Sequence, residues 1–179
     1  MKMKRKMLKY WVKFMNMHII KAYFVTLGLH FLWTVCVGII LYASGAQFSQ
    51  NVASTSEFTN SLFLIPFCAV AEEMLFRWLP FLGFFALLGF ASRFVEISNR
   101  TKTYGILLVV ALTSIIFGYV HGNVFNIFLQ GVSGAIFCAF YIRALIKTRA
   151  KGKKDKYQLV PLASSSTYHM LANSLLIIL

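Results

Sequence analysis

Two adjacent glutamates, Glu72 and Glu73, are the residues of this sequence best suited to do chemistry. They lie in an apolar stretch, residues 62–79, that could otherwise cross a membrane, and they are two of only five acidic residues among 179. An ionised group at bilayer depth costs roughly 2.5–3.5 kcal/mol on insertion scales, so such a group usually has a function or a partner. A carboxylate in this setting is a candidate general base, and it is equally a candidate for one half of a buried ion pair.

Arg77 distinguishes the two glutamates. Residues four apart share one face of a helix, whereas neighbours lie about 100° apart, so Glu73 and Arg77 can pair while Glu72 points elsewhere. We therefore predict that Glu73 and Arg77 form a structural ion pair and that Glu72 is the free carboxylate. The alternative is a buried Glu–Arg–Glu cluster that only fixes helix packing.

Two later apolar segments contribute imidazoles. His121 ends a segment that contains Phe117, and His169 precedes Asn173 by four residues, so this last pair shares a helix face. An imidazole and an amide that donate to one point can stabilise an oxyanion. Taken singly, His121 could be an interfacial histidine, and the His169–Asn173 pair could be a polar contact between helices. Together with Glu72, they form the set needed to hydrolyse an amide bond with an activated water.

Long apolar segments must position these residues. The chain is 59% hydrophobic, compared with about 45–50% for soluble domains, and several stretches reach the ~20 residues that span a bilayer as a helix. We predict an all-α, polytopic transmembrane bundle that forms a single domain, residues 1–179. A basic interfacial segment, 1–18, precedes a core, 61–179, that carries the motifs. The five predicted spans are residues 19–43, 61–91 with a kink or break at Pro80, 104–121, 124–146 and 159–179.

Basic residues between the spans predict the orientation. With the N-terminus inside, the inside stretches hold seven, three and seven Lys and Arg residues and the outside stretches hold none, which leaves only Arg77. The positive-inside rule then places the N-terminus in the cytoplasm and the C-terminus outside. Because the cations lie between apolar segments, the net charge of +13 indicates topology signals and contacts with anionic lipid rather than with nucleic acid.

The three motifs resemble those of the CPBP family of intramembrane proteases, also called the Abi family, which includes CAAX proteases and bacteriocin-processing enzymes. The motifs occur in the family's order as EExxxR at 72–77, FxxxH at 117–121 and HxxxN at 169–173, and together they extend over more than half of the chain. Trp78 stands where the family often has a small residue, and the chain is short.

The resemblance implies a role for each motif residue. Four residues would be catalytic, the first two activating a water molecule and the last two stabilising the oxyanion: Glu72, His121, His169 and Asn173. Three would support the site: Glu73, Arg77 and Phe117. We favour this glutamate-dependent mechanism, which needs no cofactor. The alternative is a zinc ion held by Glu72, His121 and His169, although the chain has no HExxH motif.

The expected function is therefore that of an intramembrane endopeptidase in the cell membrane. Its expected substrate is a leader peptide, a signalling peptide or a membrane protein rather than a prenylated protein. Two other functions are compatible with the sequence. One is a bacteriocin self-immunity or binding protein of the same fold, and the other is a small transporter that uses the glutamates as a proton relay. A transporter would usually show an internal repeat, which this sequence lacks.

Overall fold

A computed structural model describes residues 2–45, 64–152, 155 and 157–178 of the chain. Every element in these residues is helical, which confirms the predicted all-α fold. The predicted loop at residues 44–60 and the start of the second span lie largely outside the described residues. In chain order, the elements are α1 (Lys2–Asn16), α2 (Ile19–Ala43), α3 (Leu64–Glu73), a first π-turn (Met74–Trp78), α4 (Leu79–Ala91), α5 (Asn99–Val120), a second π-turn (Ile127–Gly131), α6 (Val132–Ala150) and α7 (Leu159–Ile178).

Four helical segments among the described residues are long and apolar enough to cross a membrane. They correspond to the first four of the five predicted spans: Ile19–Ala43, Pro66–Ala91, Asn99–Val120 and Ile127–Ala150. The fifth predicted span is α7, which packs against α3 and α6. It is less apolar because it carries a run of hydroxyl residues, 164–167, as well as His169 and Asn173. Much of its polar surface faces protein, since Ser165, Ser166 and His169 are buried.

The second predicted span continues through Pro80 instead of ending there. This proline lies in the first turn of α4, and the first π-turn directly precedes that helix. Because proline has no N–H to donate to the preceding turn, the wider π-turn accommodates the lost hydrogen bond. Trp78, at the end of the π-turn, donates from its indole nitrogen to the carbonyl of Tyr157 at 2.6 Å. This bond ties the span to the connection that leads into α7.

The α6 helix is the centre of the bundle. In the segment Ile127–Ala150, which contains α6, 50% of the residues in its most apolar stretch are buried. The corresponding fraction for α2 is 6%, so α2 lies at the periphery. Aromatic rings of α6 pack on α7, where Phe140 stacks on Tyr168 at 4.3 Å between ring centroids. On its other side, Tyr141 stacks on Phe81 of α4 at 5.1 Å. The central helix thus contributes to two clusters of buried side chains, one that contains Phe140 and Tyr168 and one that contains Tyr141 and Phe81.

Candidate functional site

Glu73 and Arg77 form the ion pair that their spacing predicts. Arg77 Nη1 lies 3.0 Å from Glu73 Oε1, and both side chains are 0% exposed. The guanidinium also lies over two aromatic rings, 4.3 Å from the centroid of Phe117 and 5.1 Å from that of Phe137. Ring faces carry partial negative charge, so they replace part of the hydration that a buried cation loses. The pair therefore sits in an enclosed pocket at the centre of the candidate site.

Glu73 also binds the imidazole of His169, a contact that the sequence did not suggest. Its Oε1 lies 3.0 Å from His169 Nδ1, across a separation of 96 residues. A carboxylate only accepts, so Nδ1 carries a proton and Nε2 faces the other way. The ring of Phe137 stacks on this imidazole at 4.1 Å with an interplanar angle of 23°. Glu73 and Phe137 together fix both the orientation and the tautomer of His169.

His121 is fixed in a similar way by its own helix. It caps the C-terminal end of α5, where its Nδ1 lies 2.6 Å from the carbonyl oxygen of Phe117. Because a carbonyl oxygen cannot donate, Nδ1 is again the protonated nitrogen and Nε2 points away from the helix. The Phe117 ring packs against the imidazole at 4.3 Å. Phe117 therefore contacts both His121 and Arg77.

Glu72 lies where the two imidazoles converge. Its Oε2 is 3.5 Å from His169 Nε2 and 3.8 Å from His121 Nε2. The three groups come from α3, α5 and α7. With both Nδ1 atoms protonated, the Nε2 atom of each neutral ring is an acceptor, like the carboxylate of Glu72. Three acceptors cannot hydrogen-bond to one another, so they need a shared donor. This donor is either a water molecule between the groups or a proton on one of the nitrogens.

The site is enclosed on one side and open on the other. Glu72 is 30% exposed and His121 is 29% exposed, whereas His169 is 3% exposed. Protein therefore leaves the site uncovered on the side of Glu72 and His121. Asn173 lies one helical turn after His169 on α7 and is half-buried. Of the four residues expected to be catalytic, His121 and His169 lie within 4 Å of Glu72, and Asn173 follows His169 on the same face of α7.

The three side chains are spaced slightly more widely than the ligands of a zinc ion. At bond lengths of about 2.0–2.1 Å, a tetrahedral zinc holds its ligand atoms roughly 3.3 Å apart. Glu72 Oε2 lies 3.5 and 3.8 Å from the two imidazole nitrogens. Among the described residues, no group of three His, Cys, Asp or Glu side chains is placed to hold a metal ion.

His30 is a second buried histidine, which was not among the predicted site residues. Its Nε2 lies 2.6 Å from Ser133 Oγ of α6, and its ring stacks on Tyr168 of α7. It thereby joins α2 to the two helices that surround the site. The signal in the sequence is a histidine at the middle of an apolar span whose one charged residue, Lys21, lies at its start.

Comparison with known proteins gives no significant match: no protein-family model, no curated protein and no solved structure is similar to this chain. Its function is therefore inferred from its own residues and their geometry.

Proposed function

We propose that this protein is an intramembrane endopeptidase that hydrolyses a peptide bond with a water molecule activated by Glu72. The proposal rests on the close approach of three side chains from three different helices: Glu72, His121 and His169. They lie among apolar helices that are long enough to span a membrane, and Glu72 and His121 are partly exposed. The order and spacing of the motifs, which resemble those of CPBP proteases, support the same function. The proposed substrate is a peptide or a membrane protein.

In the first step of the proposed reaction, Glu72 acts as the general base. A water held between Glu72 and the Nε2 of His121 gives a proton to the carboxylate, and its oxygen attacks the carbonyl carbon of the substrate. His121 can accept a hydrogen bond from this water because the Phe117 carbonyl keeps its proton on Nδ1. The 3.8 Å between Glu72 and His121 leaves both groups within hydrogen-bond reach of one water oxygen.

The negative charge that develops on the substrate oxygen then needs donors. Asn173 can donate from its amide, and His169 can donate from Nε2 when it carries a proton there as well as on Nδ1. The Glu73 carboxylate, 3.0 Å from His169 Nδ1, balances the positive charge of that ring. The C–N bond breaks as Glu72 returns its proton to the leaving nitrogen, which restores the carboxylate for another cycle.

A peptidase assay in membranes tests this function. We expect the purified protein, reconstituted into liposomes with a library of apolar peptides, to generate new peptide ends detectable by mass spectrometry. Glu72→Gln should reduce cleavage by about 10²–10⁴-fold, because it removes the base while keeping the shape of the side chain. Glu96→Gln is the matched control, since Glu96 is exposed in the connection between α4 and α5. Cleavage at the same rate by both variants would rule out the proposed mechanism.

We also propose that the protein has its N-terminus in the cytoplasm. If each of the four apolar helices crosses the membrane once, the basic stretches 2–21, 93–102 and 143–156 fall on the same side, and the positive-inside rule makes that side the cytoplasm.

A further inference from the structure

A groove of about 730 Å³ lies at the end of the bundle where α2 begins, α6 ends and α7 begins. This is the opposite end of α6 from His121, which precedes that helix in the chain. Three parts of the chain line the groove: the α1–α2 junction, the last turns of α6 and the first turns of α7. It is therefore separate from the candidate catalytic site.

One wall of this groove is a stripe of cations. Arg143, Lys147 and Lys151 follow each other at intervals of four residues, so they share one face of α6 and its C-terminal cap, and all three line the groove. Like charges at this spacing repel each other. No carboxylate is among the residues that line the groove in the described part of the chain. The nearby Asp155 instead accepts from the N–H groups of Leu159 and Val160 and caps α7.

The innermost cation is held rigidly. Arg143 is buried, and it donates from Nε to the Phe14 carbonyl at 3.2 Å and from Nη2 to the Met17 carbonyl. It also stacks over the Phe14 ring at 5.4 Å. A guanidinium has five N–H donors, and the two carbonyls use two of them. The other donors of Arg143 remain for a ligand in the groove that it lines. A preorganised arginine of this kind is well suited to bind a phosphate.

Hydroxyl residues also line the groove: Ser164 and Thr167 of α7 and Tyr23 of α2. Tyr23 donates to the Ser164 carbonyl at 3.0 Å and Thr167 donates to the Ala163 carbonyl at 2.8 Å, so these two hydroxyl protons are already used. The Ser164 hydroxyl can still donate to a phosphate oxygen beside the cations.

We propose that this groove binds a phosphate group, carried either by the headgroup of an anionic phospholipid or by a soluble phosphate compound. The three cations supply the attraction, and the fixed arginine and the Ser164 hydroxyl supply the directional contacts. The proposed orientation puts the groove at the cytoplasmic surface. This proposal does not depend on the protein being a peptidase.

The test compares two double variants of the full-length protein in detergent. Lys147→Gln/Lys151→Gln removes two cations from the groove, and Arg143 is kept because it holds the α1–α2 junction in place. Arg93→Gln/Lys102→Gln is the control, since it removes the same charge from the α4–α5 connection and the first turn of α5, both outside the groove. The binding of phosphatidylglycerol is measured by native mass spectrometry, and that of inorganic phosphate is measured by calorimetry. Thermal melting without ligand verifies that both variants fold.

We expect one saturable site, weakened roughly 30-fold in the groove variant and little changed in the control, because each cation near a membrane surface contributes about a factor of five. Binding of phosphatidylglycerol without inorganic phosphate would identify the lipid headgroup as the source. Binding of both, with phosphate displacing the lipid, would show that the phosphate group suffices. Equal weakening in the two variants would overturn the proposal, as would the lack of a saturable site for either probe.

Discussion

At the scale of single residues, two neighbouring glutamates have different surroundings. Glu73 is fully buried and contacts both Arg77 and His169 at 3.0 Å. Glu72 is 30% exposed, and its Oε2 lies 3.5 and 3.8 Å from the imidazole nitrogens of His169 and His121. Removing the charge of Glu73 therefore leaves a buried guanidinium without its counter-ion, whereas removing that of Glu72 does not.

Stability measurements should separate the two glutamates. We expect Glu73→Gln to lower the free energy of unfolding by about 3–5 kcal/mol, because it breaks a buried pair and leaves Arg77 unpaired. Glu72→Gln should melt close to the wild type, since its side chain is half-buried and bonded to no cation. Thermal melting in detergent measures both. Equal destabilisation by the two variants would contradict the division of roles between these residues.

Chelation distinguishes the two proposed mechanisms. A mechanism in which Glu72 activates water directly should keep its peptidase activity after exhaustive dialysis against a chelator. A zinc mechanism needs His121 and His169 as ligands, so chelation would abolish activity and added zinc would restore it. The metal content of the purified active protein is the second measurement. Zinc at one equivalent per chain, lost together with activity, would overturn the metal-independent reading.

The sequence predicts the local contacts of these residues and misses the distant ones. Glu73 and Arg77 are four residues apart, so helical geometry alone pairs them. The same holds for the bond from His121 to Phe117, although its use of the main-chain carbonyl was not expected. The contact between Glu73 and His169 depends on which faces of α3 and α7 meet, and no local pattern encodes that packing.

At the scale of elements, small residues set how closely the helices approach. A Cβ atom on Gly118 of α5 would lie 2.6 Å from Ile127 Cα, 2.8 Å from Gly131 N and 2.9 Å from Asn126 O. All three are main-chain atoms, which cannot rotate out of the way. The second π-turn thus packs directly on the backbone of α5, one turn before His121.

Replacing Gly118 tests this close approach. We expect Gly118→Ala to destabilise the protein by about 1–3 kcal/mol or more, because α5 and the second π-turn must separate. Gly83→Ala in α4 is the matched control, since no atom lies within 4 Å of the added methyl group and alanine favours a helix. Thermal melting compares them. A Gly118 variant as stable as the Gly83 variant would show that the contact is less tight than it looks.

The helices were easier to predict than their irregularities. Long apolar segments require helices in a bilayer, because only there are all backbone groups paired within the segment. The two π-turns could not be predicted, since no local pattern in the sequence distinguishes a π-turn from an α-turn. His169 and Asn173 predict a polar face on α7. The burial of Ser165 and Ser166 depends on how α7 packs against its neighbours, which the sequence does not show.

At the scale of the whole molecule, labelling of introduced cysteines tests the orientation. In a background without Cys36, Cys68 and Cys138, we expect Ser54→Cys to react with an impermeant reagent added outside intact cells. Ala150→Cys, at the exposed end of α6, should react only after the membrane is opened. The opposite pattern would invert the topology and place the basic groove outside.

The first π-turn also constrains how this protein can vary in length. A π-turn holds about one residue more than the α-turn that it replaces. Deleting one residue between Glu73 and Trp78 converts the π-turn to an α-turn, so the flanking helices stay in register. Phe81 would then keep its stacking on Tyr141 while Glu73 still faced His169. A deletion in the regular part of α4 would instead rotate the residues after it by about 100°. The first π-turn is therefore the place where this span can lose a residue and keep both the site and its packing.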